Sequence, residues 1–465
     1  MSTPIHELRA REFARLDAGG HVYLDYTGSG LYGESQVRRH AEFLAGQVLG
    51  NPHSRNPSSR ASTERVDAVR ERILAYFEAD PAEYEVVFTL NASGALKLVG
   101  EAYPFRAGSR LVLTADNHNS VHGLRSYAAA RGAEVRYVPL DAELRVGVEA
   151  LDAGLAGADR ALPNLFVYPA QSNFSGVKHP LEWVRRAREA GYATMLDAAA
   201  FAPTNRLSLR ECGPDFVCLS FYKMFGFPTG VGALVARKAA LLGLERPWFG
   251  GGTVRFVSAQ APVELLYRTA RGFEDGTPNF LDVPAVPAGL DLLEEVGIER
   301  VGEHVAGLTA LLLREMQALR HPGGAPLVRI YGPTTAERRG GTIAFNVLDG
   351  AGGIFDFRVV EDRASARGVS LRTGYFCNPG AAEFAFGHAP PDVQRCAGGF
   401  SPETFTLNEF AACMGATPVG AVRVSVGLPT NEADVRRFLE VLESFRGQRC
   451  GEEAPPAQWA APLPQ

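Results

Sequence analysis

Cysteine is scarce in this sequence, and what there is forms no staple. Six cysteines, at positions 212, 218, 377, 396, 413 and 450, make no CxxC pair and no dense framework. The expectation is therefore reduced thiols in a cytoplasmic protein. An apolar leader is also missing: the first twenty residues, MSTPIHELRAREFARLDAGG, lack the core of a signal peptide. No uninterrupted apolar run approaches the roughly 20 residues that cross a bilayer, so no membrane partner is expected. Basic residues are in no excess, the formal net charge being -5 at pH 7, which argues against nucleic acid as a partner. There is no internal repeat. What remains is ordinary: 465 residues, 46% hydrophobic and 21% charged, describe a globular chain with room for a large domain and a smaller one.

The chain is organised around Pro214 to Lys238, PDFVCLSFYKMFGFPTGVGALVARK. The apolar run Phe216-Val217-Cys218-Leu219 predicts a buried strand that delivers Ser220, Tyr222 and Lys223 at its end. A lysine there is poor packing material, because burial disfavours its charged form. The same penalty lowers its pKa, which is what a lysine that bonds covalently to a carbonyl group requires.

Other strand ends carry polar groups too. Glu85–Thr89 predicts a strand that turns through Leu90-Asn91-Ala92-Ser93-Gly94 into a helix from Ala95. Small residues at such a turn leave backbone N–H groups free to hold an anion. Strands at 110–113, 135–138, 164–168 and 194–197 follow, the first ending in Asp116-Asn117-His118-Asn119-Ser120 and the last on Asp197. Helical stretches lie between them, at 60–79 and 181–190 among others, with a short amphipathic helix over 5–17. Alternation of this kind predicts a largely parallel α/β sheet with helices on both faces. Ligands of such sheets sit beyond the carboxyl ends of strands. His118, Asn173, Asp197 and Lys223 all fall there.

From about residue 290 the pattern changes to helices near 286–297 and 301–320, strands at 341–346 and 369–372, and a last helix over 431–446. The expected organisation is an N-terminal arm (1–25), a large domain (26–295), a small α+β domain carrying a cysteine loop (296–450) and a disordered Pro/Ala-rich tail (451–465).

The segments YLDYTGSGLY, NPHS, DNHNSV, YPAQSNFSGVKHPLEW, LDAAAF, SFYKMFGFPTGVGAL, FEDGTPNFLD, LRTGYFCNPGA and VGAVRVSVG span residues 23 to 427. Together they resemble the class V aminotransferase family of pyridoxal phosphate enzymes, in its cysteine desulfurase branch, and most of all the aminoterminal domain of molybdenum cofactor sulfurases. The resemblance implies a fold-type I transferase with a mostly parallel, seven-stranded-type sheet. It implies that Lys223 binds the cofactor covalently and moves the substrate's α-proton, that Asp197 pairs with the pyridinium nitrogen, and that His118 lies over the ring and takes part in proton transfer. Asn173 would hydrogen-bond the phenolic oxygen, while Ala92, Ser93, Ser220 and Tyr222 would hold the phosphate. Thr277 would complete that site from a partner subunit, which implies a homodimer.

Arg423 would grip the substrate carboxylate, a role suited to guanidinium geometry. Arg372 would fix the cysteine loop or hold the other side of that carboxylate. Cys377, in LRTGYFCNPG, would be the sulfur-carrying thiol, attacking L-cysteine and releasing alanine before sulfur moves to an acceptor protein or cofactor. The other five cysteines are expected to be small buried hydrophobes, with no metal among them. Two positions depart from many desulfurases: Ala200 stands where a glutamine is common, and Tyr222 where a histidine precedes the lysine; both fit the sulfurase branch. Sulfurases also carry a second domain beyond this one, so a separate protein is expected to supply it or the acceptor differs. The rival expectations are a transaminase, epimerase or β-lyase on another amino acid, and a catalytically silent scaffold.

Overall fold

The computed structural model describes residues 4–401, 403–415 and 417–451. All but the first residue of the expected disordered tail lie outside them. Seven apolar segments pair into the main sheet, in the order Tyr84–Thr89, Gly232–Arg237, Phe216–Ser220, Ala193–Asp197, Leu165–Pro169, Arg110–Thr114 and Glu134–Val138. Only Gly232–Arg237 runs antiparallel to its neighbours. The strands Phe216–Ser220 and Leu165–Pro169 are buried at every position, as parallel strands covered on both faces must be. Separate apolar clusters fill the two sides: Val86, Phe166, Leu196 and Val217 point into one, Val87, Leu113, Met195 and Cys218 into the other. That alternation is the two-residue period of the strand in three dimensions.

A second sheet, antiparallel throughout, is ordered Val328–Tyr331, Thr342–Val347, Ala421–Ser425 and Arg372–Gly374. The helices Ile298–Ala318, Phe357–Ser365 and Glu432–Glu443 supply apolar residues to its core. The segment expected as an N-terminal arm enters this core. Val22–Tyr23 pairs in parallel with Val369–Ser370, and Val22 and Leu24 are fully buried there.

Several elements differ from the sequence expectation. The helix expected over 5–17 is two, Ile5–Glu12 and Ala14–Ala18, broken at Phe13. The helix expected from Ala95 starts at Ala92, because the Asn91 side chain accepts from the Gly94 N–H (3.0 Å) and caps it earlier. Lys223 lies three residues beyond its strand, in the short helix Phe221–Phe225. Gly226 ends that helix at φ +79, where a side chain would strike the backbone of Tyr32. The hairpin Val254–Ser258 with Val263–Leu266 was not expected; among the described residues it pairs with no other strand.

The reduced state expected for all six thiols is corrected at one pair. Cys396 and Cys413, 17 residues apart, form a disulfide joining the helices Pro390–Ala397 and Leu407–Met414. No CxxC spacing announces it, because adjacent helices rather than a local turn bring the sulfurs together. Among the described residues no helix is long and apolar enough to cross a membrane, and no group of three or more His, Cys, Asp or Glu side chains is placed to hold a metal.

Candidate active site

The carboxyl ends of the central strands converge on Lys223. Its side chain is only partly exposed, and burial lowers its pKa, helped by the positive charges of Arg423 and Arg372 and opposed by Asp197 and Cys377. Those four neighbours mark what shares its field. Beside it the buried Ser220 Oγ accepts from the Ala92 N–H (2.9 Å), tying the lysine strand to the N-terminus of the helix Ala92–Ala102. The Ser93 hydroxyl is exposed and meets Ser120 Oγ at 2.6 Å. Among the described residues no group accepts from the Ser93 N–H. A free N–H and two hydroxyls at a helix N-terminus are donors suited to an anion. Tyr222 is half-buried, and burial raises its phenol pKa.

Ser120 also fixes His118. Its backbone N–H donates to Nδ1 at 3.1 Å, so a neutral His118 carries its proton on Nε2. Burial, then the charge of Lys223, push the imidazole down to about 4. An unfolded histidine takes up its proton near 6.5. Between those values the unfolded chain binds a proton that the folded chain refuses, so acid weakens the fold through this window and has no such effect above it. The drop in thermal midpoint from pH 7 to pH 4.5 should therefore be smaller in His118→Gln than in the parent protein. An equal drop in both would count against a neutral His118.

Asp197 is buried, and its Oδ1 accepts from the Ala199 N–H (3.0 Å), leaving Oδ2 without a partner among the described residues. Asn173 is already engaged: its Nδ2 donates to the Phe376 carbonyl (2.7 Å), and its Oδ1 accepts from Asn378 (2.8 Å). One Nδ2 hydrogen remains.

Those bonds hold the cysteine loop. Phe376 and Cys377 are both left-handed, at φ 54 and 53, which costs non-glycine residues about 1–2 kcal/mol each. Asn173 fixes the Phe376 carbonyl, and the Asn119 N–H donates to the Cys377 carbonyl at 2.7 Å. Asn378 caps the helix Pro379–Phe386 and donates to the Asp116 carbonyl (2.7 Å), anchoring the loop to the large sheet. The result is an exposed Cys377 thiol on a backbone fixed from both sides.

Both candidate substrate arginines meet at one carboxylate, Asp25. Arg423, buried, donates from Nη2 to Asp25 Oδ1 (2.9 Å) and from Nη1 to the Asn173 carbonyl (3.0 Å). Arg372, half-exposed, donates from Nε and Nη2 to Asp25 Oδ2 at 2.9 and 2.6 Å. Thr277 stands apart: it is exposed, and its hydroxyl accepts from Asn51 at 3.2 Å. No described contact brings it to Ala92, Ser93 or Ser220.

The family model for aminotransferase class-V matches residues 22–438. The chain belongs to the class-V aminotransferase family. A solved structure with this class-V fold, a cysteine desulfurase from Thermococcus onnurineus NA1, covers 96% of this chain and 99% of its own at TM-score 0.79 and 23% identity. A cystine C–S lyase, solved with its product cysteine persulfide, covers 94% and 100% at TM-score 0.70 and 17% identity. Likeness at those identities is one of fold, the fold-type I arrangement of a mostly parallel central sheet. In sequence, the molybdenum cofactor sulfurase of Bos taurus is 39% identical over 467 residues, 95% of this chain. The chain spans 52% of that relative's length.

Four residues of this class-V site carried no assigned role in the sequence: Asp25, Asn119, Ser120 and Asn378. Asp25 lies within the strand-like run Val22-Tyr23-Leu24-Asp25-Tyr26, which points to no partner for it. Asn119 acts through its backbone N–H, Ser120 through its backbone N–H and hydroxyl, and Asn378 through its amide, none of which spacing encodes.

Proposed function

We propose that the chain is a pyridoxal-phosphate-dependent cysteine desulfurase that moves sulfur from L-cysteine to Cys377, releases alanine, and hands the sulfur on for molybdenum cofactor sulfuration. One observation carries the reading: an exposed thiol held on a fixed loop within the electrostatic reach of Lys223, Arg372 and Arg423.

The residues fit the cofactor. The Ser93 N–H and the Ser93 and Ser120 hydroxyls suit its phosphate, the unpartnered Asp197 Oδ2 suits its ring N–H, and Lys223 supplies the amine that bonds to it. When bound, the cofactor supplies an acceptor for the electrons released as the substrate loses its α-proton. Lys223, its pKa lowered by burial, takes and returns that proton. His118, neutral with its proton on Nε2, can donate a hydrogen bond without adding charge. The Cys377 thiolate attacks the sulfur of L-cysteine. An S–S bond forms, the substrate Cβ–S bond breaks, and its electron pair stays with carbon. Two thiol sulfurs become one persulfide, cysteine becomes alanine, and no outside oxidant is required.

The test is to incubate the cofactor-loaded protein with L-cysteine and to measure alanine and sulfur bound at Cys377. Equal amounts in a first turnover support the reading. Pyruvate and ammonia, with no sulfur on the protein, would instead select the β-lyase alternative.

A homodimer goes with this reading. The hairpin exposes Phe256, Val263 and Leu265 on one face, an apolar patch of the kind that marks a protein interface. Thr277, exposed and away from its own chain's Ser93, is free to face a second copy. Sedimentation of the purified protein as a monomer at micromolar concentration would remove this part of the proposal.

A further inference from the structure

Among the described residues, Asp25 is the one acid that both substrate arginines touch. It sits at the end of the N-terminal strand segment, bridged to Ser425 two residues from Arg423. Its carboxylate leaves no room for a larger neighbour: a side chain at Gly28 would meet Asp25 Oδ2 at 2.5 Å. Thr27 and Ser425 hold the following turn, through the Thr27 N–H to Ser425 Oγ at 2.9 Å. Asp25 is thus buried and fixed before any ligand arrives.

The guanidiniums it holds differ in access. Arg423 is enclosed by Asp25, the Asn173 carbonyl and the Phe376 ring, 4.9 Å from its carbon. Arg372 is half-exposed and spends only Nε and Nη2 on Asp25, so Nη1 has no partner among the described residues. The Nε of Arg423, buried, has none either. Two cations and one anion leave a single positive charge at this end of the site, and a free donor on its accessible side.

We propose that Asp25 is a positioning and specificity-determining residue: it holds Arg423 and Arg372 as one unit and cancels one of their two charges, so that the site receives a ligand with a single carboxylate. The inference rests on the desulfurase reading in taking that carboxylate to be the substrate's. Without Asp25 two guanidiniums would stand side by side uncompensated. They would repel each other and favour a dianion, since opposite charges at contact attract strongly in a partly buried site.

The test uses two thiol acids without an amine, which bind at the carboxylate site without being consumed. One is 3-mercaptopropionate, with one carboxylate; the other is mercaptosuccinate, with two. Their dissociation constants are measured by calorimetry on the cofactor-loaded protein. In Asp25→Asn, which keeps the shape and removes the charge, the preference should move toward mercaptosuccinate by about tenfold or more. Adding Arg372→Gln restores the charge count, and the double variant should return to within about threefold of the parent preference. A folded Asp25→Asn protein with unchanged preference overturns the proposal, as does a shift that Arg372→Gln leaves in place. Should Asp25→Asn not fold, Arg372→Gln alone leaves Asp25 to neutralise Arg423, and both acids should lose about tenfold or more in affinity. Retained affinity there also overturns it. Binding needs no turnover, so a parent protein that makes no alanine sinks the desulfurase reading while the two acids still report on Asp25.

Discussion

Lys223→Ala is expected to leave a folded protein that makes no alanine from L-cysteine, with turnover down by at least about 10⁴-fold. In the proposed function the lysine bonds to the cofactor and also moves the α-proton, and the variant removes both functions. No neighbour can substitute. Lys178, the other lysine whose pKa burial lowers, donates its amine to Asn205 at 2.8 Å. The fold should not suffer, because the substitution removes a cation that burial and two nearby arginines disfavour. A thermal midpoint of the cofactor-free variant equal to or above that of the cofactor-free parent, with visible absorbance altered on adding cofactor and alanine absent, is the expected set. Alanine production near the parental rate would mean that another amine does the work.

Cys377→Ala is expected to separate binding from sulfur transfer. Lys223, Asp197, Arg423, Arg372 and Asp25 are untouched, so L-cysteine should still bind and change the absorbance of the cofactor. Without a thiolate to take the sulfur, alanine should fall by about 10²-fold or more and no protein-bound persulfide should form. Alanine retains the left-handed strain at this position, so the loop geometry is preserved. Cys377→Gly relieves it and should be the more stable of the two by about 1 kcal/mol, provided the loop bonds from Asn119 and Asn173 persist. Equal alanine from parent and Cys377→Ala would end the desulfurase mechanism and promote a lyase or transaminase.

Much of the seven-stranded sheet was legible because its strands are nearly all apolar. Phe216–Ser220 and Leu165–Pro169 are buried on both faces, and such segments stand out against their polar flanks. Strand ends bearing His118, Asn173, Asp197 and Lys223 could be read for the same reason, since polar groups there have no packing role. The start of the helix at Ala92 is obscured because Ala-Ser-Gly is turn-like, and only the Asn91 cap makes it helical. The hairpin at 254–266 escapes notice because its apolar residues face outward and build no core periodicity. Asp25 shows no function in its own stretch of sequence, since its partners lie 347 and 398 residues away. No local pattern carries contacts of that range. The Cys396–Cys413 pairing is hidden for a different reason: it depends on how two helices pack, which their spacing does not state.

The strand Val22–Tyr23, packed in the core beneath the four-stranded sheet, constrains the order of assembly. Its partner Val369–Ser370 and the bridge from Asp25 to Ser425 belong to the last quarter of the chain. At a synthesis rate of roughly 5–20 residues per second, the amino end waits about 20–80 s for those partners to emerge. The seven-stranded sheet, complete by Arg237, can close in the meantime on residues that are already made. Val22 and Leu24 meanwhile have nothing to cover them. Loop closure over nearly 400 residues is slow to find but adds little entropy beyond that of shorter loops. The ion pair of Asp25 with Arg423, which the proposed function assigns to the substrate carboxylate, therefore cannot form until residue 423 has been made. Until then Asp25 has at most one of its two guanidiniums to hold, and that corner of the site has no fixed shape.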